Sequence, residues 1–158
     1  MTIRLVSGAT DFRARSAIVD GDSTYTYGDL LEASAAVASG LLAGAEDLGE
    51  ERVAFLVPSG FHYVATLWGI WRAGGIAVPL AMSHPPAELA HVLDDSAPSV
   101  VVTHESCESR LSEVVAKRQL LLRRTSDLLV TQPSVLPDLD ENRRAMMLYT
   151  SGTTGKPK

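Results

Sequence analysis

The sequence is poor in cysteine: Cys107 stands alone among 158 residues. No disulfide can form within the chain, and one thiol cannot build a cysteine-based metal site. Cys107 is expected to be a buried, indifferent thiol. The four histidines, His62, His84, His91 and His104, show neither His-x3-His nor HExxH spacing. His84 and His91 lie two helical turns apart, but Pro85 and Pro86 would break a helix between them. No metal site is expected. Positive charge is also scarce, with 14 Lys and Arg against 19 Asp and Glu and a net charge of -5. That balance argues against a general nucleic-acid or anionic-membrane binder. It leaves room for one small anion on one local loop. Long apolar runs are missing too. The most apolar stretch, 61–73, is interrupted by His62, Thr66 and Arg72 and is too short to span a bilayer. The opening "MTIRLVSGATDF" has no signal-peptide core. A cytoplasmic protein with no membrane span is expected.

What is present suits a folded domain with a real core: 46% of residues are hydrophobic and 21% charged. "AIVD" and "STYTY" read as two short strands around Gly21-Asp22. "GDLLEASAAVASGLLAG" carries Leu30, Leu31, Ala35, Val37, Ala38, Leu41 and Leu42 near helical spacing, with Gly44 to end the helix. The charged run Glu46 to Glu51 reads as a solvated connection. Val53 to Val57 is a continuous apolar run, which suits a parallel strand covered on both faces. Ser59 can cap a helix over 60–73, in which Trp68 and Trp71 are core anchors. Gly74-Gly75 and "IAVPL" complete a βαβ unit. Pro85-Pro86 opens a further helix that Pro98 stops. "SVVVT" is a strand, "SCESRLSEVVAKR" an amphipathic helix, "QLLLR" a fourth strand and 131–144 a polar connection. "AMMLYT" then forms an apolar strand. This alternation specifies an α/β fold with a mainly parallel sheet flanked by helices.

The chain closes on "YTSGTTGKPK". In open parallel sheets, ligands bind beyond the carboxyl ends of the strands, which is where this loop would leave. Gly152 and Gly155 permit backbone geometries that aim successive N–H groups at one point. Thr150, Ser151, Thr153 and Thr154 add hydroxyl donors, and Lys156 and Lys158 add positive charge. Pro157 stiffens the loop before Lys158. The Walker phosphate loop is excluded, because it needs four residues between its glycines and then Lys-Ser/Thr.

"YTSGTTGKPK" resembles the signature loop of the adenylate-forming (AMP-binding) superfamily of acyl-CoA synthetases, peptide-synthetase adenylation domains and beetle luciferases. Two earlier stretches are similar to further boxes of that family, in the expected order. They are "YTYGDL", with Asp29 in place of the family's Glu, and "WRAGGIAVPL". The stretch from Gly74 to Ser96 looks most similar to the malonate-CoA ligase branch, although His84 is expected to serve a turn or packing role.

The resemblance implies a two-step reaction. A carboxylate attacks the α-phosphorus of ATP with Mg²⁺, and coenzyme A then displaces AMP. Thr150, Ser151, Gly152, Thr153, Thr154, Gly155, Lys156, Pro157 and Lys158 would hold the β- and γ-phosphates. Lys158, matching the family's loop lysine, would be the main charge, whereas Lys156 occupies the variable position. By the same resemblance, residues 1–158 are the N-terminal part of the large domain, cut at the phosphate loop. The adenine and ribose contacts, the magnesium-binding glutamate, the acyl pocket and the small C-terminal domain would follow it. The 158-residue chain alone is therefore expected neither to catalyse adenylation nor to bind ATP tightly. The alternatives are a peptide-synthetase-type adenylation domain that loads a carrier protein, and a non-catalytic truncated fragment.

Overall fold

Thr26 switches the chain from strand to helix. In the computed structural model, which describes residues 3–150, β1 (Ser16–Asp20) and β2 (Ser23–Thr26) pair antiparallel around Gly21-Asp22. Thr26 then caps α2 (Tyr27–Leu42). Its Oγ1 accepts from the Asp29 N–H at 3.1 Å, and its own N–H donates to Asp29 Oδ2 at 2.8 Å. This is a reciprocal capping box in which Asp does the work of Glu, so the substitution in "YTYGDL" keeps the cap. The helix closes on Ala43, whose φ of 46° makes it the left-handed residue one position before the expected Gly44. A short helix that the sequence pattern does not announce, α1 (Arg4–Thr10), precedes the hairpin.

The rest alternates. β3 (Arg52–Leu56), α3 (Phe61–Arg72), β4 (Ile76–Pro79), α4 (Pro86–Ser96) and β5 (Val100–Thr103) follow in turn. A single 3-10 turn (Glu105–Cys107), α5 (Glu108–Ala116), β6 (Leu121–Arg124) and α6 (Thr125–Leu129) complete the series. The four strands from β3 onward are parallel, in the order β4-β3-β5-β6. The expected α/β fold with a parallel sheet between helices is present. β3 lies inside the sheet, and its residues alternate between two cores. Val53 and Phe55 meet Val37 and Leu41 of α2, Ile70 of α3 and Leu128 of α6. Ala54 and Leu56 meet Leu89, Val92 and Leu93 of α4 and Leu111 and Val115 of α5. Both faces being covered, the strand must be apolar at every position.

One expected strand is cut short. "AMMLYT" contributes a single parallel bridge, Met146 against Ala77 on the outer side of β4. The Ala77 N–H donates to Ala145 O at 3.0 Å, and the Met147 N–H donates to Ala77 O at 2.9 Å. The next bond in this ladder would come from the N–H of residue 79, which is proline and has none. Pro79 thus removes one bond from this pairing, which makes two hydrogen bonds.

Candidate functional site

At the carboxyl rim of the sheet, the loops after β3 and β5 part. The loop after β3 leads to α3 on one face, and the loop after β5 leads to α5 on the other. Such a point is where an open α/β sheet ordinarily admits a ligand. Here it is filled by side chains: the rings of His62 and His104 stack with centroids 5.4 Å apart. The N-terminus of α3, a natural anion site, is taken as well. Asp20 Oδ2 accepts from the Phe61 N–H at 3.0 Å. Gly60 makes this approach possible, with φ at 142° and a backbone so close to Asp20 that a Cβ would lie 2.2 Å from Oδ2. The cap expected from Ser59 is therefore supplied from 41 residues away, because a carboxylate from the hairpin meets the helix dipole better than a hydroxyl. The Asp20 carboxylate thus occupies the first N–H of this helix and sets a negative charge at its N-terminus.

The loops beside this point are braced internally. His104 Nδ1 accepts from the Ser106 N–H at 3.2 Å, and its Nε2 lies 3.6 Å from Glu105 Oε2. Glu105 Oε1 accepts from the Ser126 N–H at 3.0 Å. Burial pushes the Glu105 carboxyl up, but the bonds from Ser126 and the nearby His104 outweigh it and hold the group at about 2, down from 4.5. A depressed carboxyl stabilises the fold above its ordinary pKa and loses that contribution as pH falls toward the depressed one. Between pH 4.5 and about 2, acid unfolding should thus draw partly on Glu105. Glu105→Gln should flatten that limb of a stability-versus-pH curve, and an unchanged acid limb would refute the assignment.

After β4, Arg110 ties down the turn by donating to Met82 O at 2.6 Å and to His84 O at 2.8 Å. His84 Nε2 stands 3.6 Å from Glu88, within the same turn. Cys107 is buried, with Sγ 3.7 Å from Met82 Sδ. Cys107 is buried as expected, and His84 lies in the turn with its Nδ1 buried and unpartnered among the described residues. Trp68 is buried in the core as expected. Trp71 does more, donating from Nε1 to Ala145 O at 2.7 Å.

Of the candidate phosphate loop, Thr150 is the last described residue, and it is exposed. Ser151, Gly152, Thr153, Thr154, Gly155, Lys156, Pro157 and Lys158 lie outside the described residues. The approach to the loop is well anchored. The Tyr149 hydroxyl donates to Asp95 Oδ2 at 2.5 Å. Burial first, and then that carboxylate, push the phenol up to about 12, so it remains a donor at neutral pH.

Sequence reasoning missed a second set of anchors. The run Glu46 to Glu51 is not merely solvated. Asp47 Oδ1 accepts from Arg143 Nη1 at 2.8 Å, and Glu50 Oε1 accepts from the Arg144 N–H at 2.8 Å. Arg143 holds the Asp47 carboxyl below the usual range, and Arg144 does the same for Glu50. The signal was opposite charge in two polar segments about 95 residues apart, which no local pattern can pair. Beside these anchors lies a cavity of about 550 Å³, lined in part by Leu5, Trp71, Leu139 and Arg143. Among the described residues, no helix is long and apolar enough to cross a membrane.

The profile of the family described as AMP-binding enzyme matches residues 7–158. The mitochondrial malonate–CoA ligase ACSF3 of Xenopus laevis is 38% identical over 172 residues, covering 99% of this chain and 29% of its own length. Nonribosomal peptide synthetase 4 of Gibberella zeae is 33% identical over 148 residues, covering 90% of this chain and 2% of its own. The crystal structure of ATP-bound MatB from Rhodopseudomonas palustris shares the fold, with a TM-score of 0.80 at 23% identity over 100% of this chain and 34% of that one. The chain thus spans under a third of the length of the curated relatives it matches.

Proposed function

We propose, because the chain belongs to the AMP-binding enzyme family, that it is the N-terminal part of an acid–thiol ligase. The enzyme would activate a small carboxylic acid with ATP as an acyl-adenylate and pass the acyl group to coenzyme A. Malonate is the acid we assign. The observation that carries this reading is the 38% identity to a malonate–CoA ligase along almost the whole chain. The loop sequence fits, since Ser, Thr, Gly and Lys supply the hydroxyl, amide and ammonium donors that a polyphosphate needs.

In this reading, residues 150–158 grip the β- and γ-phosphates, with Lys158 as the chief charge. Magnesium, when bound, would neutralise phosphate charge, and its protein ligand would lie beyond residue 158. The loop supplies neither nucleophile nor base. Its donors are fixed before reaction around the place where negative charge grows on departing pyrophosphate, and this lowers the barrier. The carboxylate of Asp20 at the start of α3 disfavours a phosphate there, which is consistent with the loop as the anion site. Residues 1–158 then form one portion of a larger adenylation domain. The ACSF3 relative is named mitochondrial, which sets that compartment beside the cytoplasm as the place of the reaction.

The test is acid-dependent ATP–pyrophosphate exchange by the full-length enzyme with a panel of dicarboxylic, fatty, aromatic and amino acids. Malonate should give the highest kcat/KM, followed by thioester formation with free coenzyme A. Preference for an amino acid, with transfer only to a carrier protein, would favour the peptide-synthetase reading that the Gibberella relative keeps open. Absence of exchange with every acid would defeat both.

A further inference from the structure

The segment that delivers the phosphate loop has an unsettled register by its own chemistry. Ala145, Met146, Met147 and Leu148 are all apolar. Met146 packs into the core beneath α2 and α3, and Met147 into the core beneath α4 and α5. A shift of one residue would again place apolar groups against apolar cores, so hydrophobic alternation does not choose between those registers. The ladder chooses weakly, since it makes only two hydrogen bonds to β4 and Pro79 has no N–H to add the next.

Fixed partners therefore have to choose: Tyr149, bonded to Asp95, holds the far end of the segment, and the loop between α2 and β3 holds the near end. Arg144 donates from its N–H to Glu50 Oε1 at 2.8 Å and from Nε to Glu50 Oε2 at 2.9 Å. Arg143 Nη2 lies 2.6 Å from Asp47 Oδ2, and Trp71 Nε1 holds the next carbonyl, Ala145 O. The receiving loop is itself held rigidly. Its Leu48 and Glu50 N–H groups donate to Ala73 O at 2.9 Å and Gly74 O at 2.8 Å. Glu50 adopts φ of 65°, a conformation non-glycine residues avoid unless their surroundings impose it. Asp47 lies against the bare backbone of Gly74, where a Cβ would come within 2.1 Å of Oδ1. Three consecutive residues, 143 to 145, are thus each tied to a fixed partner.

We infer that Asp47 and Glu50 are positioning residues: through Arg143 and Arg144 they set the register of residues 145–147 on β4, and so how far the phosphate loop reaches past the sheet. The inference rests on the reading that residues 150–158 grip phosphate. A one-residue slip would move the loop by about 3.3 Å, and a displacement of about 1 Å can cost on the order of 10²-fold in rate.

The test is the double variant Asp47→Asn, Glu50→Gln in the full-length enzyme, which keeps side-chain shape and removes both charges. The ATP KM in pyrophosphate exchange should rise on the order of tenfold. AMP affinity by calorimetry, and thioester formation from preformed acyl-adenylate, should not change, because neither uses the β- and γ-phosphates. Reversing one pair, with Glu50→Arg and Arg144→Glu together, should restore much of the ATP KM lost in Glu50→Arg alone. An unchanged ATP KM, or an equal loss of AMP affinity and thioester formation, overturns the inference. Lys158→Ala in the same assays separates the two layers. If it weakens ATP while the double variant does not, only the register role fails. If neither variant weakens ATP, the phosphate-loop reading fails with it.

Discussion

Lys158→Ala will lower acid-dependent ATP–pyrophosphate exchange in the full-length enzyme on the order of 10²–10³-fold, the usual cost of removing one fixed donor from developing negative charge. The size of the effect follows from preorganisation. In the proposed role, an ammonium near the leaving pyrophosphate would act where its field is screened less than in bulk solution. Lys156→Ala should have little effect, because that position is the variable one in the loop pattern. The contrast between the two lysines is the measurement. A comparable, negligible change from both would remove the phosphate role from Lys158. Second-step thioester formation from preformed acyl-adenylate should be spared in both variants.

Phe55→Ala should cost about 3–5 kcal/mol, as large-to-small changes at buried aromatics do. Phe55 has no solvent exposure, and its ring centroid lies 5.0 Å from that of Tyr63. It sits on β3 between Pro79 of β4 and Val102 of β5, beneath α2 and α3. The cavity would open where strands and helices both converge, so neighbouring elements could collapse into it only in part. Hydrogen-exchange protection of the β3 and β5 amides in the full-length protein would report the loss. Val19→Ala, at a side chain 72% exposed on the hairpin, is the control and should stay within about 0.5 kcal/mol. If the two variants lost equal protection, β3 would not be the centre of the core.

How much of this was legible beforehand depends on how local the determining chemistry was. The sheet was readable because Val53–Val57 and the two later apolar runs are continuous, and only a strand covered on both faces needs that. Pro85-Pro86 marked the start of α4 for an equally local reason, a fixed φ at the first helical turn. The family boxes were readable as sequence, and the structure explains two of them as scaffolding: "YTYGDL" is a helix cap, and "AGGIAVPL" is a backbone contact for Asp47 followed by β4 and its terminating proline. What was not legible involves distant partners. Asp20 capping α3, Asp47 with Arg143 and Glu50 with Arg144 each join residues 41 to 96 positions apart. The strand expected at "AMMLYT" is only a bridge, and one missing donor was printed in the sequence, Pro79, but it matters only once β4 is known to be its neighbour.

The late pairing of Met146 with Ala77 has a consequence for synthesis. β4 emerges with its outer margin bare, and the segment that covers it is translated some 70 residues later, a wait on the order of 3–14 s at about 5–20 residues per second. Through that interval an unpaired strand is open as a template for other nascent chains. The two-bond cover and its paired arginines would then act as a shield as well as a ruler. Slow codons placed between positions 80 and 145 should raise co-translational aggregation, while the same codons placed after residue 150 should not.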